Sequence, residues 1–289
     1  MKDHLVRIVS RDGSLRAAAA TTTALAEAIC SRQGTDATAA VALGRLVTGT
    51  ALLGSLLKGD QRLALMIEGN GPLQKLQAET DADGHVRGSI RIPVADLPLQ
   101  EGRFDVAGAI GRAGFLHVVK DLGLKEPYRG MVQLYTSEVA EDLAYYLTTS
   151  EQVPSSVGLG VYIEADGTIS SAGGFLVQSL PNAREETLVQ LEKRLTDLPP
   201  LTTLLRQGLA PVQILETLFA GIPFDILAQT DLEFRCHCHR DQVRQMLLSL
   251  GRDELQELSE REEPTTVTCE FCKEVYTFSR EELQKLLET

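Results

Sequence analysis

The fold of the C-terminal region is decided by Thr266-Val267-Thr268-Cys269-Glu270-Phe271-Cys272-Lys273-Glu274-Val275-Tyr276-Thr277-Phe278. Residues 266–268 and 275–278 are rich in β-branched and aromatic residues and predict two short strands. The turn between them holds a C-x-x-C pair, so the stretch is typical of a strand–turn–strand knuckle that presents two sulfurs to a metal. Thirty residues upstream, Cys236-His237-Cys238 supplies a second close pair.

Two close cysteine pairs in a short segment predict a zinc site with four thiolate ligands: Cys236, Cys238, Cys269 and Cys272. Four free buried thiols are the alternative, but the surrounding segment is too polar to cover them. His237 and His239 adjoin the ligands, which leaves a Cys₃His site open; otherwise they are solvated neighbours. The fifth cysteine, Cys30, lies in an Ala-rich stretch and is interpreted as a small buried hydrophobic residue.

The spacing of the four cysteines also suggests redox chemistry. A disulfide across C-x-C closes a small strained ring, and strain makes such a bond easily reduced. The set could therefore alternate between a zinc tetrathiolate and two local disulfides. Because zinc contributes folding free energy to a small module, oxidation would expel the metal and unfold the segment.

The charge of the chain disfavours nucleic acid as a partner. The formal net charge is −12 and the pI is about 5.0, with no dense Lys/Arg cluster, whereas phosphate backbones are bound through basic side chains. No apolar run suggests a membrane span, and the charged N-terminal residues do not fit a signal peptide. We therefore expect a cytoplasmic protein, in which clustered cysteines bind metal or act in redox chemistry.

Before the cysteine module, residues 182–221 predict three helices. Asn182 is a candidate cap with Glu185 three residues later, and a leucine stripe at helical spacing follows. Pro199-Pro200 ends the first helix and Pro211 opens the third. Two interpretations are open: these are ordinary core helices, or they form a mobile connector that can release its apolar stripes.

The N-terminal part predicts an α+β core. Residues 15–32 and 36–57 are expected to be helical, the second run buried because it is apolar nearly all round. Hairpins are expected at Asp83-Gly84 and Asp166-Gly167, without regular βαβ alternation. Residues 49–55 lack the lysine of a phosphate loop, since Ser55 takes its place, and no catalytic triad is apparent. We therefore expect no enzymatic activity.

Several motifs together resemble one known family. With the C-x-C and C-x-x-C pairs, the chain carries Tyr146-Leu147-Thr148-Thr149-Ser150-Glu151-Gln152-Val153-Pro154-Ser155, Ala172-Gly173-Gly174-Phe175-Leu176-Val177-Gln178, Leu180-Pro181-Asn182-Ala183 and Gly69-Asn70-Gly71-Pro72-Leu73. This combination resembles the heat shock protein 33 family, the redox-regulated chaperonins of bacteria, over essentially the whole chain. The departure is His239, where a small polar residue is expected.

The resemblance implies a three-part architecture: an α+β chaperone core (residues 1–179), a helical linker (residues 180–230) and a zinc-binding redox switch domain (residues 231–289). It implies an inactive, reduced, zinc-bound monomer. Oxidants would form disulfides Cys236–Cys238 and Cys269–Cys272, release zinc and loosen the linker. The protein would then form a homodimer and hold unfolding client proteins without ATP.

Two rival functions make different predictions. A zinc-ribbon nucleic-acid binder would need a basic surface at the cysteine module, where glutamates outnumber arginines. A thiol–disulfide oxidoreductase using Cys269 and Cys272 would need an attacking cysteine of low pKa, usually near a helix N-terminus. The predicted knuckle offers no such helix.

Overall fold

The computed structural model describes residues 2–181 and 183–287, which divide into two compact units. The first ends at Arg235 and the second begins at Cys236. The strands of the first unit are β1 (His4–Ser10), β2 (Leu15–Thr21), β3 (Arg62–Gly69), β4 (Lys75–Asp81), β5 (His85–Ile90), β6 (Gly114–Asp121), β7 (Tyr128–Gln133), β8 (Ser155–Ile163), β9 (Ile169–Ser179), β10 (Phe224–Asp231) and β11 (Glu233–Phe234). Its helices are α1 (Thr23–Gln33), α2 (Ala37–Gly54), α3 (Val106–Ile110), α4 (Val139–Thr149), α5 (Glu185–Asp197), α6 (Leu201–Arg206) and α7 (Pro211–Leu218).

Two sheets form the frame of the first unit. The first sheet has strand order β10-β1-β2-β9-β8, and all of its pairings are antiparallel. The second has order β11-β5-β4-β3-β6-β7, with one parallel pairing, between β11 and β5. Strands and helices are mixed without repeated βαβ units, which confirms the predicted α+β class.

Helix α2 forms the centre of the main core. It packs against strands of both sheets, and its residues contribute much of one large cluster of buried side chains. Asp36 caps its N-terminus by accepting a hydrogen bond from the backbone N–H of Ala39. In length and composition α2 would qualify as a membrane span, but 89% of that window is buried inside the structure, as expected of a core helix.

The prediction of a helix over residues 15–32 is wrong in its first half. Leu15–Thr21 forms strand β2, and helix α1 begins only at Thr23. The Ala17–Ala20 run has high helix propensity, but β2 is paired on both sides, with β1 and β9, and is largely buried. Small side chains suit this position because α2 and α7 pack against opposite faces of this strand, and tertiary packing overrides a weak local preference.

Helices α5, α6 and α7 confirm the helical prediction for the segment before the cysteine module, although Asn182, the candidate cap, lies outside the described residues. They cover the face of the first sheet opposite α2. Leu191, Leu205 and Leu215 join Ile8 and Val177 in a second apolar cluster. Helical structure ends at Leu218, and the chain then re-enters the first sheet as β10, paired with β1.

The second unit is small. It contains α8 (Arg240–Ser249), α9 (Arg252–Glu260), the hairpin β12 (Thr265–Thr268) and β13 (Val275–Phe278), and α10 (Arg280–Leu287). Its own core consists of six buried side chains: Val243, Leu247, Leu255, Phe278, Leu283 and Leu286. A core of this size provides little stability to a module of about fifty residues, which indicates that another source of folding free energy is needed.

Candidate metal centre

The β12–β13 hairpin forms the predicted knuckle. In its turn, the backbone N–H of Cys269 donates to the carbonyl of Glu274 (2.9 Å), and that of Lys273 donates to the carbonyl of Cys269 (3.0 Å). Lys273 closes the turn with a left-handed φ of 62°. These bonds hold Cys269 and Cys272 on the same side of the turn, as the C-x-x-C spacing predicts.

The other two cysteines lie in the segment that leads into α8. His239 is the N-cap residue of that helix, and its Nδ1 accepts a hydrogen bond from the backbone N–H of Gln242 (3.2 Å). Arg240 fixes the start of α8 by donating to the carbonyl of Thr277, with its guanidinium 4.5 Å from the centre of the Phe278 ring. The cap therefore sets where Cys236 and Cys238 enter the module.

All four sulfurs converge. Their Sγ atoms lie within 4.8 Å of one another, with Cys236 and Cys269 separated by 3.7 Å and Cys238 and Cys272 by 3.2 Å. A tetrahedral zinc ion with Zn–S bonds of about 2.3 Å would place its sulfurs about 3.8 Å apart. The four thiols are half-buried and unbridged by disulfides. Their arrangement can accept one metal ion of that size.

The electrostatics of the cluster favour a cation. Burial opposes ionisation of Cys236, but the backbone N–H of Cys238 and the adjacent thiols outweigh it and lower the pKa of Cys236 to about 7. Burial and the neighbouring thiols raise the pKa of Cys272, and burial also raises that of Cys238. Cys236 therefore ionises readily, while ionisation of Cys238 and of Cys272 is resisted, chiefly by burial. A bound divalent cation would remove that resistance.

The histidines beside the ligands have different surroundings from the sulfurs. Among the described residues, this metal-capable group contains the four cysteines and no histidine. The ring of His239 serves as a helix cap, and His237 is exposed. This geometry favours the four-cysteine site over the Cys₃His alternative.

Cys30 lies outside the cluster, as expected. It is buried in the main core of the first unit, and burial raises its pKa to about 12. Its Sγ contacts the carbonyl of Ala40 at 3.7 Å. A thiol with so high a pKa is almost wholly protonated at neutral pH and is a poor nucleophile. The prediction of a small buried hydrophobic residue is confirmed.

Tyr276 is a site residue that spacing alone did not identify. It lies on β13, and its hydroxyl donates a hydrogen bond to Cys238 Sγ at 3.2 Å. Strand alternation carries a weak signal for it, since Val275 and Thr277 are exposed while Tyr276 is turned inward.

The fold and site define a class: an α+β protein with a separate helix-and-knuckle unit whose four cysteines could hold a metal ion. Comparisons with known proteins agree. The family model described as "Hsp33 protein" matches residues 3–279. The chain therefore belongs to the Hsp33 family of chaperones.

Individual relatives cover the chain from end to end. A 33 kDa chaperonin of Syntrophotalea carbinolica is 67% identical over 287 residues, which is 99% of this chain and 100% of that protein. A 33 kDa chaperonin of Geobacter sulfurreducens is 54% identical over 284 residues, covering 98% and 94% of the two chains. The crystal structure of the Thermotoga maritima 33 kDa chaperonin, a heat shock protein 33 homolog, superposes with a TM-score of 0.91 at 37% identity, covering 99% and 98%.

Proposed function

We propose that the protein is a redox-regulated, ATP-independent holdase chaperone. It is inactive when reduced with one zinc ion on Cys236, Cys238, Cys269 and Cys272. It is active when two disulfides, Cys236–Cys238 and Cys269–Cys272, have formed and the metal has been released. The observation that carries the proposal is the convergence of four half-buried sulfurs in a module whose own apolar core is small.

Zinc, when bound, neutralises the thiolates and supplies the folding free energy that the small core lacks. Oxidation by hypochlorous acid converts two thiolates to one disulfide, with chloride and hydroxide as products. Each disulfide removes two electrons and two ligands from the site. Loss of all four thiolates leaves a polar module with six buried side chains, which is expected to unfold.

The client-binding surface is proposed to be the second apolar cluster. Helices α5–α7 cover the outer face of the first sheet with leucine and isoleucine side chains. Their undocking would expose apolar surface on the helices and on the sheet, and large exposed apolar patches bind other proteins. This supports the mobile-connector interpretation of the linker. The partners would be unfolding client proteins and, after oxidation, a second copy of the chain.

We propose that the core comprises residues 1–179, the linker 180–230 and the switch domain 231–289. Along the chain, helices α5–α7 lie between β9 and β10, which belong to the same sheet. The helices could therefore undock while both ends of the segment stay in the sheet. The net charge of −12 would keep the activated form soluble and disfavours nucleic-acid binding. We further propose a cytoplasmic location without membrane association, and no enzymatic activity.

The test follows zinc release and client protection in the same tubes. Reduced protein is titrated with hypochlorous acid, released zinc is read with a chromogenic chelator, and light scattering follows a thermally unfolding client. The two signals should rise together and reverse with a thiol reductant, and peptide mapping should find the two local disulfides. The Cys30→Ala variant is the matched control and should behave as wild type. Zinc release without protection would reject the chaperone switch.

A further inference from the structure

The hydroxyl of Tyr276 lies against one particular sulfur of the cluster. Tyr276 pairs with Val267 across the β12–β13 hairpin, and its half-buried ring packs on the apolar core of the second unit. This packing directs the hydroxyl to Cys238 Sγ at 3.2 Å. The Sγ of Cys272 is also 3.2 Å from that atom, so the sulfur of Cys238 contacts both a second sulfur and a hydroxyl donor.

A hydrogen bond to a thiolate withdraws electron density from sulfur. A thiolate that is stabilised in this way is a weaker nucleophile, because nucleophilicity falls as the thiolate becomes less basic. The same bond disperses the negative charge that four thiolates would concentrate around a metal. Groups hydrogen-bonded to metal ligands hold the ligand in place, and removing one typically lowers metal affinity by about 10–100-fold.

We propose that Tyr276 is a positioning residue that shields Cys238 from oxidants and retains the metal, and so sets the oxidant threshold of the switch. The inference rests on the proposed function, because it requires that the cluster binds zinc and is oxidised. It deepens that function by assigning unequal reactivity to the four cysteines. It also predicts that Cys238 is attacked late in the wild-type protein.

Hydrogen peroxide is the only oxidant that the proposed step needs. A thiolate attacks one oxygen of hydrogen peroxide, the O–O bond breaks, and a sulfenic acid and hydroxide are formed. A second thiolate then attacks that sulfur, the S–S bond forms and hydroxide leaves. The peroxide gains two electrons in all and the two sulfurs lose them. The hydroxyl of Tyr276 slows the first step at Cys238 and takes no part in the electron transfer.

The test replaces Tyr276 in the full-length protein. Tyr276→Phe keeps the ring and removes the hydroxyl, whereas 3-fluorotyrosine at the same position keeps the shape and makes the hydroxyl a stronger donor. Tyr135→Phe is the matched control, because Tyr135 is an exposed tyrosine of the first unit that stacks on Tyr145. Three quantities are measured: zinc affinity by chelator competition, the rate of peroxide-driven zinc release, and alkylation of each cysteine by mass spectrometry.

We expect Tyr276→Phe to bind zinc about 10-fold more weakly, to release it faster under peroxide and to raise the share of alkylation at Cys238. The fluorotyrosine protein should release zinc more slowly than wild type, which a folding defect could not produce. A wild-type alkylation pattern in Tyr276→Phe, or equal gains at all four cysteines, would overturn the inference. If wild-type protein binds zinc and loses it on oxidation while both variants match it, only the role of Tyr276 fails. If wild-type protein binds no zinc, the proposed function fails as well.

Discussion

Gly160 of β8 offers a way to undock the linker without oxidation. It pairs with Gly173 of β9, and the two glycines leave a bare strip of sheet beneath α6. A Cβ atom at Gly160 would lie 3.1 Å from Cγ2 of Thr202, 3.3 Å from its backbone nitrogen and 3.5 Å from Cδ1 of Leu205. These three nearest atoms all belong to α6. A valine at this position would therefore press on the linker helix.

The size of the effect follows from packing. Inserting extra methyl groups into a well-packed site costs about 1–3 kcal/mol. Valine is also preferred over glycine in strands, so β8 itself should not be weakened. The cost falls on the docked state of α6, and about 1–3 kcal/mol corresponds to about a 5–150-fold rise in the undocked population. Gly160→Val should thus mimic part of the proposed activated state while the four cysteines stay reduced.

The assay is hydrogen exchange by mass spectrometry on reduced, zinc-loaded protein. Peptides covering α6 should exchange about 5–150-fold faster than in wild type, whereas peptides from β3 to β6 should keep the wild-type rate. The same protein should partly suppress client aggregation without oxidant. Ser170→Val is the control, because Ser170 is an exposed position in the same hairpin. Unchanged exchange of α6 would refute the reasoning, and so would an equal increase across both sheets.

Three further predictions concern the metal, a helix end and a buried carboxyl. Cys272→Ser should bind no zinc and should show a weaker helical signal in far-UV circular dichroism, because three sulfurs leave the site incomplete and α8–α10 unfold. Full zinc content in this variant would contradict the prediction. Arg7→Met should lower the free energy of unfolding in urea by about 1–3 kcal/mol, because Arg7 Nη1 donates a hydrogen bond to the Ser55 carbonyl at the C-terminal end of α2 (2.5 Å). The control is Arg11→Gln, which removes an exposed ion pair and should lower it by no more than about 1 kcal/mol. Burial raises the pKa of Asp142 in the folded protein above its usual 3.8. At pH values between the pKa of the unfolded state and that of the folded state, the folded protein therefore holds more protons. The free energy of unfolding of the wild-type protein should therefore fall as pH rises through that window, while that of Asp142→Asn should rise relative to wild type. A difference between the two proteins that stays constant with pH would exclude a raised pKa at Asp142.

Local signals account for the parts of the fold that were predicted. The α2 helix, the hairpin at Asp166-Gly167 and the cysteine knuckle each lie in one continuous stretch, where periodicity and turn residues are sufficient. The alanine run of β2 predicts a helix because the features that make it a strand, its pairing with β1 and β9 and the helices on both faces, leave no signal in the local sequence. Strand β10 lies mostly within the segment that the resemblance assigns to a helical linker, and its partner β1 is more than two hundred residues away, so no local pattern reveals the pairing.

The cysteine spacing carries more information about which residues converge than about their surroundings. Cysteine spacing was enough to select the four residues whose sulfurs converge. It could not show that His239 serves as a helix cap, because that depends on where α8 begins. It also could not show that the hydroxyl of Tyr276 reaches Cys238, because the hydrogen bond depends on how the hairpin places its inward side chains against the cluster.

The segment that joins helix α7 to the cysteines constrains how the proposed switch can work. β10 is held to β1 along its whole length, Leu232 is buried in the main core, and the backbone N–H of Arg235 donates to the carbonyl of Val86. Cys236 is the next residue. If the cysteine module unfolds, β11 and then β10 would have to leave their strand partners before the change could reach α7 along the chain. In the proposed switch, oxidation and release of the linker helices would be separable steps, and Gly160→Val addresses the second of them without the first.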